Sequence, residues 1–312
     1  MAAAISKLRK DNNSPPMVTP PPLKAGEKVA IVATARKITP QEIEPAVDIL
    51  HQWGLEVVQG MNLFNEDRQF AGTDDQRWAE LQIAMDDPTI KAILFARGGY
   101  GTVRLLDKLD LGKFSKSPKW LIGFSDMTAL FSHIGHHCKI QTIHGPMALT
   151  LPKCSSKVQN MIRDVLFGAP VKYQVNAHLL NRRGVSSGEL VGGNLSVLYS
   201  LSGTASAPLT RGKILFLEDL DEYLYHIDRM MMNLKRSGKL DGLKGLVIGG
   251  MTDMHDNAIP FGLNAEEIIL DAVKEFEFPV CFGFPAGHVD DNYPLIMGRK
   301  VKMAVSENVT IS

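Results

Sequence analysis

Trp120-Leu121-Ile122-Gly123-Phe124-Ser125-Asp126, running on into Met127-Thr128-Ala129-Leu130, is the stretch from which the fold can be read. Trp120 to Ile122 is a short apolar run suited to a buried strand, and the residues from Met127 to about His137 carry a helical pattern. A strand that gives way to a helix within a few residues is the repeating step of a parallel sheet covered on both faces. The same step recurs outward. Towards the N-terminus, apolar runs at Val29–Ala33, Leu55–Val58 and Ala92–Phe95 alternate with three helical stretches. These are marked by Ile43, Val47, Leu50 and Trp53, by Trp78, Leu81 and Met85, and by Val103, Leu105 and Leu106. Beyond the quoted stretch, Ile140–Ile143 supplies another strand. The expected first domain, residues 25–165, is therefore α/β, and its chemistry belongs in the loops that leave the carboxyl ends of the strands.

The regularity fades after Pro146. Breakers at Gly168-Ala169-Pro170 and Asn181-Arg182-Arg183-Gly184 place a linker over 166–187, and a second, smaller α/β domain is expected over 188–312. There, Lys213–Leu217, Leu246–Ile248 and Val280–Phe282 read as strands, while Leu220, Leu224, Ile227, Met231 and Leu234 share one helical face. Asn264 caps a helix over about 265–276, and Lys302–Ile311 reads as a terminal strand pair.

Residues 1–24, with a proline-rich run from Ser14 to Pro22, read as a flexible arm. The apolar start, Met1–Ile5, precedes its positive charges and is too short for an export signal. No stretch approaches the ~20 apolar residues of a membrane span, so a cytoplasmic protein without a membrane partner is expected. In the 312-residue chain 34 Lys and Arg balance 34 Asp and Glu, and this absence of net charge argues against a nucleic-acid partner. Three scattered cysteines, Cys138, Cys154 and Cys281, suit neither a disulfide scaffold nor a structural zinc site, and no metal is expected.

Two loops stand out. Arg97-Gly98-Gly99-Tyr100-Gly101 follows the strand ending at Phe95, and its glycines leave backbone N–H groups free to face a ligand. A phosphate or dinucleotide site is one use, though neither G-x-G-x-x-G nor a P-loop is matched; an oxyanion donor and a plain tight turn are the others. In Gly123-Phe124-Ser125-Asp126, a serine on a strand-to-helix turn projects its hydroxyl from the sheet edge, and the next N–H, that of Asp126, lies at the positive end of a helix. Taken alone, an ordinary helix cap explains it as well.

A serine nucleophile needs a base, and neutral histidine suits that role. His133, His136 and His137 share one helix and lack a matching carboxylate motif, and His226 sits within a helix. His144, in His144-Gly145-Pro146, follows a strand end and could line the crevice. His288, in Pro285-Ala286-Gly287-His288, leaves a strand with a glycine that permits close approach. The base in turn needs an acceptor, and Glu218-Asp219 follows the strand ending at Leu217. Ser125, Glu218 and His288 thus each stand just beyond an apolar strand.

At these residues the chain resembles the LD-carboxypeptidases, serine peptidases that act on muropeptides. The resemblance runs from about Pro21 onward. It is carried by Ala96–Gly101, Ile122–Leu130, His144–Met147, Gly192-Gly193-Asn194-Leu195, Leu217-Glu218-Asp219 with Tyr225–Met230, and Phe284–His288, in that order. It implies a flavodoxin-like N-terminal domain holding the nucleophile, a C-terminal domain holding Glu and His, and a homodimer. It also implies Ser125 as nucleophile, Glu218 as orienting carboxylate and His288 as base, with no cofactor. The activity expected is cleavage of the bond between an L-centred diamino acid and a terminal D-alanine in a murein tetrapeptide during cell-wall recycling. Asp126, Gly98 and Gly99 are then the oxyanion donors. Arg97, Tyr100, Asn194 and Arg229 are candidate substrate contacts, with loop or helix-surface anchoring as the alternative for each.

Two departures bear on the substrate: Ala33-Thr34-Ala35-Arg36 replaces a Ser-Pro-type loop, and the histidine loop continues as Val289-Asp290-Asp291-Asn292. The alternatives are a self-immunity peptidase that hydrolyses a peptide–nucleotide antibiotic, with Tyr223 and Tyr225 as a clamp, or a non-catalytic binder of muropeptides or nucleotides.

Overall fold

The computed structural model describes residues 16–312, so the first fifteen residues of the expected arm lie outside it. The first sheet is built from β1 (Lys28–Val32), β2 (Glu56–Gln59), β3 (Ile90–Phe95), β4 (Trp120–Gly123) and β5 (Thr142–His144). Between them run helices α1 (Pro40–Gln52), α2 (Asp74–Asp86), α3 (Gly112–Lys116) and α4 (Met127–His137), and α5 (Ser156–Leu166) follows. The strand order is β2-β1-β3-β4-β5, all parallel. This is the flavodoxin-like order, whose crevice opens outside the carboxyl ends of the strands. Alternate residues of β1 serve opposite faces: Val29 and Ile31 pack on one side of the sheet, Ala30 and Val32 on the other. The expected helix around Val103–Leu106 is a tighter 3₁₀ turn over Thr102–Lys108.

The second sheet comprises β6 (Tyr173–Asn176), β7 (Gly184–Asn194), β8 (Ile214–Leu220), β9 (Gly245–Thr252), β10 (Val280–Cys281), β12 (Lys300–Val305) and β13 (Asn308–Ile311). Their order is β10-β9-β8-β7-β12-β13-β6, parallel from β10 to β7 and antiparallel beyond. Helices α6 (Leu195–Ser200), α7 (Leu224–Arg236) and α8 (Ala265–Ala272) belong to this half. The remaining strand, β11 (Leu295–Met297), crosses back and adds an antiparallel edge to β5.

Residues 16–24 depart from the flexible arm expected of them. Val18 N–H donates to the Lys139 carbonyl at 2.6 Å, the Trp120 indole donates to the Pro21 carbonyl at 3.1 Å, and Leu23 is buried. Prolines hold an extended backbone with acceptors but no donors, which suits a segment lying along a surface that offers N–H groups. Within the expected linker, β6 pairs with β13 and so belongs to the second sheet.

The two halves are stitched at one seam. Thr128, in the first turn of α4, accepts the Asn194 N–H at 3.0 Å. Beside it, a Cβ on Gly193 would lie 2.5 Å from the Thr128 hydroxyl, so only glycine lets β7 come this close. Further along α4, Ser132 Oγ donates to the Ser206 carbonyl at 2.6 Å.

Candidate active site

Gly123 ends β4, and the backbone turns into α4 through Phe124, Ser125 and Asp126. Ser125 has φ +62°, a left-handed conformation that costs an ordinary side chain about 1–2 kcal/mol. The turn that enforces it is held by Thr128 N–H to the Ser125 carbonyl at 2.9 Å and Gly145 N–H to the Gly123 carbonyl at 3.0 Å. Strain of this kind, maintained by neighbouring bonds, is characteristic of nucleophile elbows.

The glycine loop lies directly against this turn. A Cβ on Gly98 would fall 3.1 Å from both Cβ and Oγ of Ser125. Among the described residues, no protein acceptor takes the N–H of Gly98, Gly99 or Asp126. The loop is tied down from behind. The Asp126 carboxylate accepts Thr102 N–H at 2.8 Å, and the buried Arg77 guanidinium donates to the Gly101 carbonyl at 3.1 Å. Burial pushes the Asp126 carboxyl up from its ordinary range, partly opposed by the Thr102 bonds and by Arg77. The residue therefore contributes a free backbone N–H and a side chain that fixes the neighbouring loop.

On the second sheet, Glu218 lies near the end of β8 and is fully buried. Its Oε2 accepts His288 Nδ1–H at 2.7 Å and the His288 backbone N–H at 3.2 Å. Burial pushes the Glu218 carboxyl up, but the His288 hydrogen bond and charge outweigh it and hold the group below the usual carboxylate range. Burial likewise pulls His288 down, and its bond and attraction to Glu218 more than reverse that, leaving it raised. The two shifts agree in describing one charge-stabilised pair.

Gly287 is the condition for the pair. It has φ +103°, and a Cβ there would sit 2.6 Å from Glu218 Cβ, Cγ and Oε2. Its N–H donates to Asn292 Oδ1 at 2.8 Å, while the Thr252 hydroxyl donates to the His288 carbonyl at 3.0 Å.

The halves meet through Phe124, the residue before Ser125, whose ring centroid lies 4.8 Å from that of His288. The structure thus brings the serine turn, the glycine loop and the Glu218–His288 pair to one place. No hydrogen bond joins Ser125 to His288 among the described residues; such contacts often tighten only when substrate is bound.

The expected substrate contacts divide. Arg97 donates to the Lys37 carbonyl at 3.2 Å and lies 3.8 Å from Glu42. Tyr100 is about half exposed, with its ring 6.2 Å from Phe70. Asn194 caps α6 through Val197 N–H at 3.1 Å and donates to Asp219 Oδ1 at 2.9 Å. Arg229 is exposed on α7 with its guanidinium 5.1 Å from the Tyr225 ring. Of the helix histidines, His133 Nδ1 lies 2.8 Å from Ser206 Oγ and His226 Nδ1 lies 2.5 Å from Glu222 Oε2.

Arg77 and Phe124 carry no signal of a role in the sequence, and only contiguity with Glu218 points to Asp219. Burial, together with the neighbouring Glu218 charge, pushes the Asp219 carboxyl up to about 7.

Models of two domains match the chain: the LD-carboxypeptidase N-terminal domain over residues 29–145 and the LD-carboxypeptidase C-terminal domain over 187–303. The chain belongs to the LD-carboxypeptidase family. Within this family it is 34% identical over 303 residues to a probable murein peptide carboxypeptidase of Bacillus subtilis, covering 94% of this chain and 93% of that one. A murein tetrapeptide carboxypeptidase of Pseudomonas aeruginosa is 32% identical over 279 residues, covering 85% of this chain and 89% of the relative. The crystal structure of a muramoyltetrapeptide carboxypeptidase from Oxalobacter formigenes superposes with a TM-score of 0.82 at 27% identity, covering 91% of this chain and 97% of that one. LD-carboxypeptidase relatives therefore share the full two-domain architecture, not the sheet of one half alone.

Proposed function

We propose that this protein is a serine carboxypeptidase that releases the terminal D-alanine of a murein tetrapeptide by cleaving its bond to an L-centred diamino acid. The observation that carries this reading is the buried Glu218–His288 pair, 2.7 Å apart, set beside a serine turn of φ +62°. The names of the relatives at 32% and 34% identity support the substrate class.

In the proposed reaction, His288 Nε2 accepts the Ser125 hydroxyl proton as Oγ attacks the scissile carbonyl carbon. The Nδ1–H bond to Glu218 fixes the tautomer that leaves Nε2 free and stabilises the imidazolium that forms. The free N–H groups of Asp126 and of Gly98 or Gly99 stabilise the tetrahedral oxyanion; each such donor is typically worth roughly 10²–10³ in rate. On collapse, the imidazolium protonates the leaving amine of D-alanine. Water, deprotonated by His288, then hydrolyses the acyl-serine and returns Oγ to its resting state.

Arg97 and Arg229 are the candidate partners of a substrate carboxylate, because a guanidinium can engage one with two parallel bonds. A cytoplasmic site of action belongs to the same reading, since a recycling enzyme meets released muropeptides inside the cell, and the family resemblance adds a homodimer.

A second substrate is favoured by one feature: Tyr223 and Tyr225 are exposed, with rings 5.7 Å apart, and could stack on the base of a peptide–nucleotide conjugate. The test is incubation with a murein tetrapeptide, its all-L counterpart and a peptide–nucleotide conjugate, followed by mass analysis. Loss of one alanine from the tetrapeptide alone is expected, and none with Ser125→Ala. Cleavage of the conjugate alone would transfer the reading to the second substrate, and binding without cleavage of any would mark a non-catalytic binder.

A further inference from the structure

Glu218 uses only one of its two carboxylate oxygens. Oε2 serves His288 twice, while Oε1 is buried and has no partner among the described residues. A buried ionised oxygen without a donor is costly. One other imidazole is buried beside the pair. His144 is 1% exposed, its Nε2 is also buried without a partner, and it ends β5 where Gly123 ends the neighbouring β4.

Its ring lies 4.9 Å from that of Phe216 and 5.9 Å from that of Phe124. Phe216 stands two residues before Glu218 on β8, so both side chains leave the same face of the strand. Phe124 neighbours both imidazoles, its ring lying 4.8 Å from that of His288 as well. His144 is therefore packed against the face from which Glu218 projects. Glu218 and His288 are the charged groups that act on it, with Asp219 and Asn194 acting on that pair in turn.

We propose that His144 is a positioning residue for the reaction: neutral and protonated on Nε2, it supplies the donor for Oε1 of Glu218 and so keeps Oε2 turned to His288. Each orphan atom offers what the other lacks; no hydrogen bond joins them directly, and one bound water between them is enough to complete the link. The neutral state follows from the surroundings. Burial outweighs the attraction of Glu218 and pushes the His144 imidazole down to about 4, so it stays uncharged at neutral pH. It can then donate a hydrogen bond without adding a second cation beside His288.

This inference rests on the peptidase reading for its kinetic consequences but not for its structural one. Nitrogen-15 NMR of the unliganded protein reads the tautomer directly: an Nε2–H imidazole at His144 is expected, and an Nδ1–H tautomer or an imidazolium at neutral pH overturns the proposal.

The kinetic arm compares two amides. His144→Gln carries a donor near the Nε2 position, whereas His144→Asn is too short to reach it. His144→Asn should lower kcat by about 10- to 100-fold with KM unchanged. It should also move the acidic limb of the kcat/KM profile to lower pH, because a carboxylate no longer held with Oε2 towards His288 raises the imidazole less. His144→Gln should restore most of kcat and the original limb. Equal profiles for the two variants would overturn the proposal. A wild-type protein that releases no D-alanine would instead defeat the peptidase reading, with the tautomer still deciding this one.

Discussion

Replacing Gly287 with alanine should disable the site while leaving Ser125, Glu218 and His288 themselves unsubstituted. Two costs can be worked from the geometry. Holding a non-glycine residue at φ +103° costs about 1–3 kcal/mol. The new methyl would lie 2.6 Å from Glu218 Cβ, Cγ and Oε2, so the carboxylate must retreat by about 0.8 Å to regain the 3.4 Å of ordinary contact. Crowding of this kind costs about 1–3 kcal/mol. Together they amount to a loss of about 2–6 kcal/mol against a typical total of about 5–15. The functional consequence is larger, because a displacement near 1 Å in a positioning group costs about 10²-fold in rate. Gly212→Ala is the control. Gly212 has φ +78° with nothing within 4 Å of its virtual Cβ, so it meets the backbone cost alone and should leave kcat unchanged. Denaturant unfolding and steady-state release of D-alanine measure both. If Gly287→Ala matched the Gly212→Ala control in stability and the wild type in kcat, the dependence of the Glu218–His288 pair on close approach of this loop would be refuted.

Glu218→Gln removes the charge that raises His288. In the wild type the acidic limb of kcat/KM should lie above the ordinary imidazole value of about 6.5, because His288 must lose its proton before it can act as base. In the variant burial is opposed only by the weaker pull of Asp219, so the limb should fall below that value while the plateau drops by about 10³–10⁴; an unmoved limb in the pH–rate profile would count against the pairing. The wild-type pair also sets a stability window: the part due to raised His288 is lost as pH climbs through its folded value, and the part due to depressed Glu218 is lost as pH falls through its own. Unfolding free energy measured across pH should therefore vary less in Glu218→Gln. Asp126→Ala releases the glycine loop at Thr102 and should reduce kcat by about 10²–10³ with an unaltered circular dichroism spectrum. Thr128→Val leaves the buried Asn194 N–H at the seam unpaired and should lower the unfolding free energy by about 1–3 kcal/mol in a denaturant titration.

The parallel strands of the first half could be read from sequence because burial on both faces favours continuous apolar runs, as in Ala92–Phe95. Ser125, Glu218 and His288 were legible for a related reason: each follows such a run, and loops at the carboxyl ends of parallel strands converge. Other parts lacked a local signal. The three-residue strand Leu295–Met297 belongs to the sheet of the other half, and nothing in Leu-Ile-Met specifies a return crossing. Tyr173–Asn176 is an edge strand of only four residues lying within the expected linker. Helix α5 did carry a signal, with Val158, Ile162, Val165 and Leu166 all buried on one face, but it lies where the βαβ alternation breaks down. Asn194 could be singled out by type and not by role: whether an asparagine caps a helix or greets a ligand depends on the chain around it, here Val197 N–H and Asp219. Arg77 lies within α2 like any solvated arginine, and only the folded chain shows it buried beneath the glycine loop.

In the proposed reaction Ser125 becomes covalently bound to substrate under the action of the Glu218–His288 pair. Rapid-quench mass spectrometry with a murein tetrapeptide tests it most directly. A transient acyl adduct, equal to the tetrapeptide less its terminal D-alanine, is expected on the proteolytic fragment containing Ser125, and no adduct in Ser125→Ala or His288→Ala. Release of D-alanine with no adduct at any time, or an adduct that persists in Ser125→Ala, would contradict it.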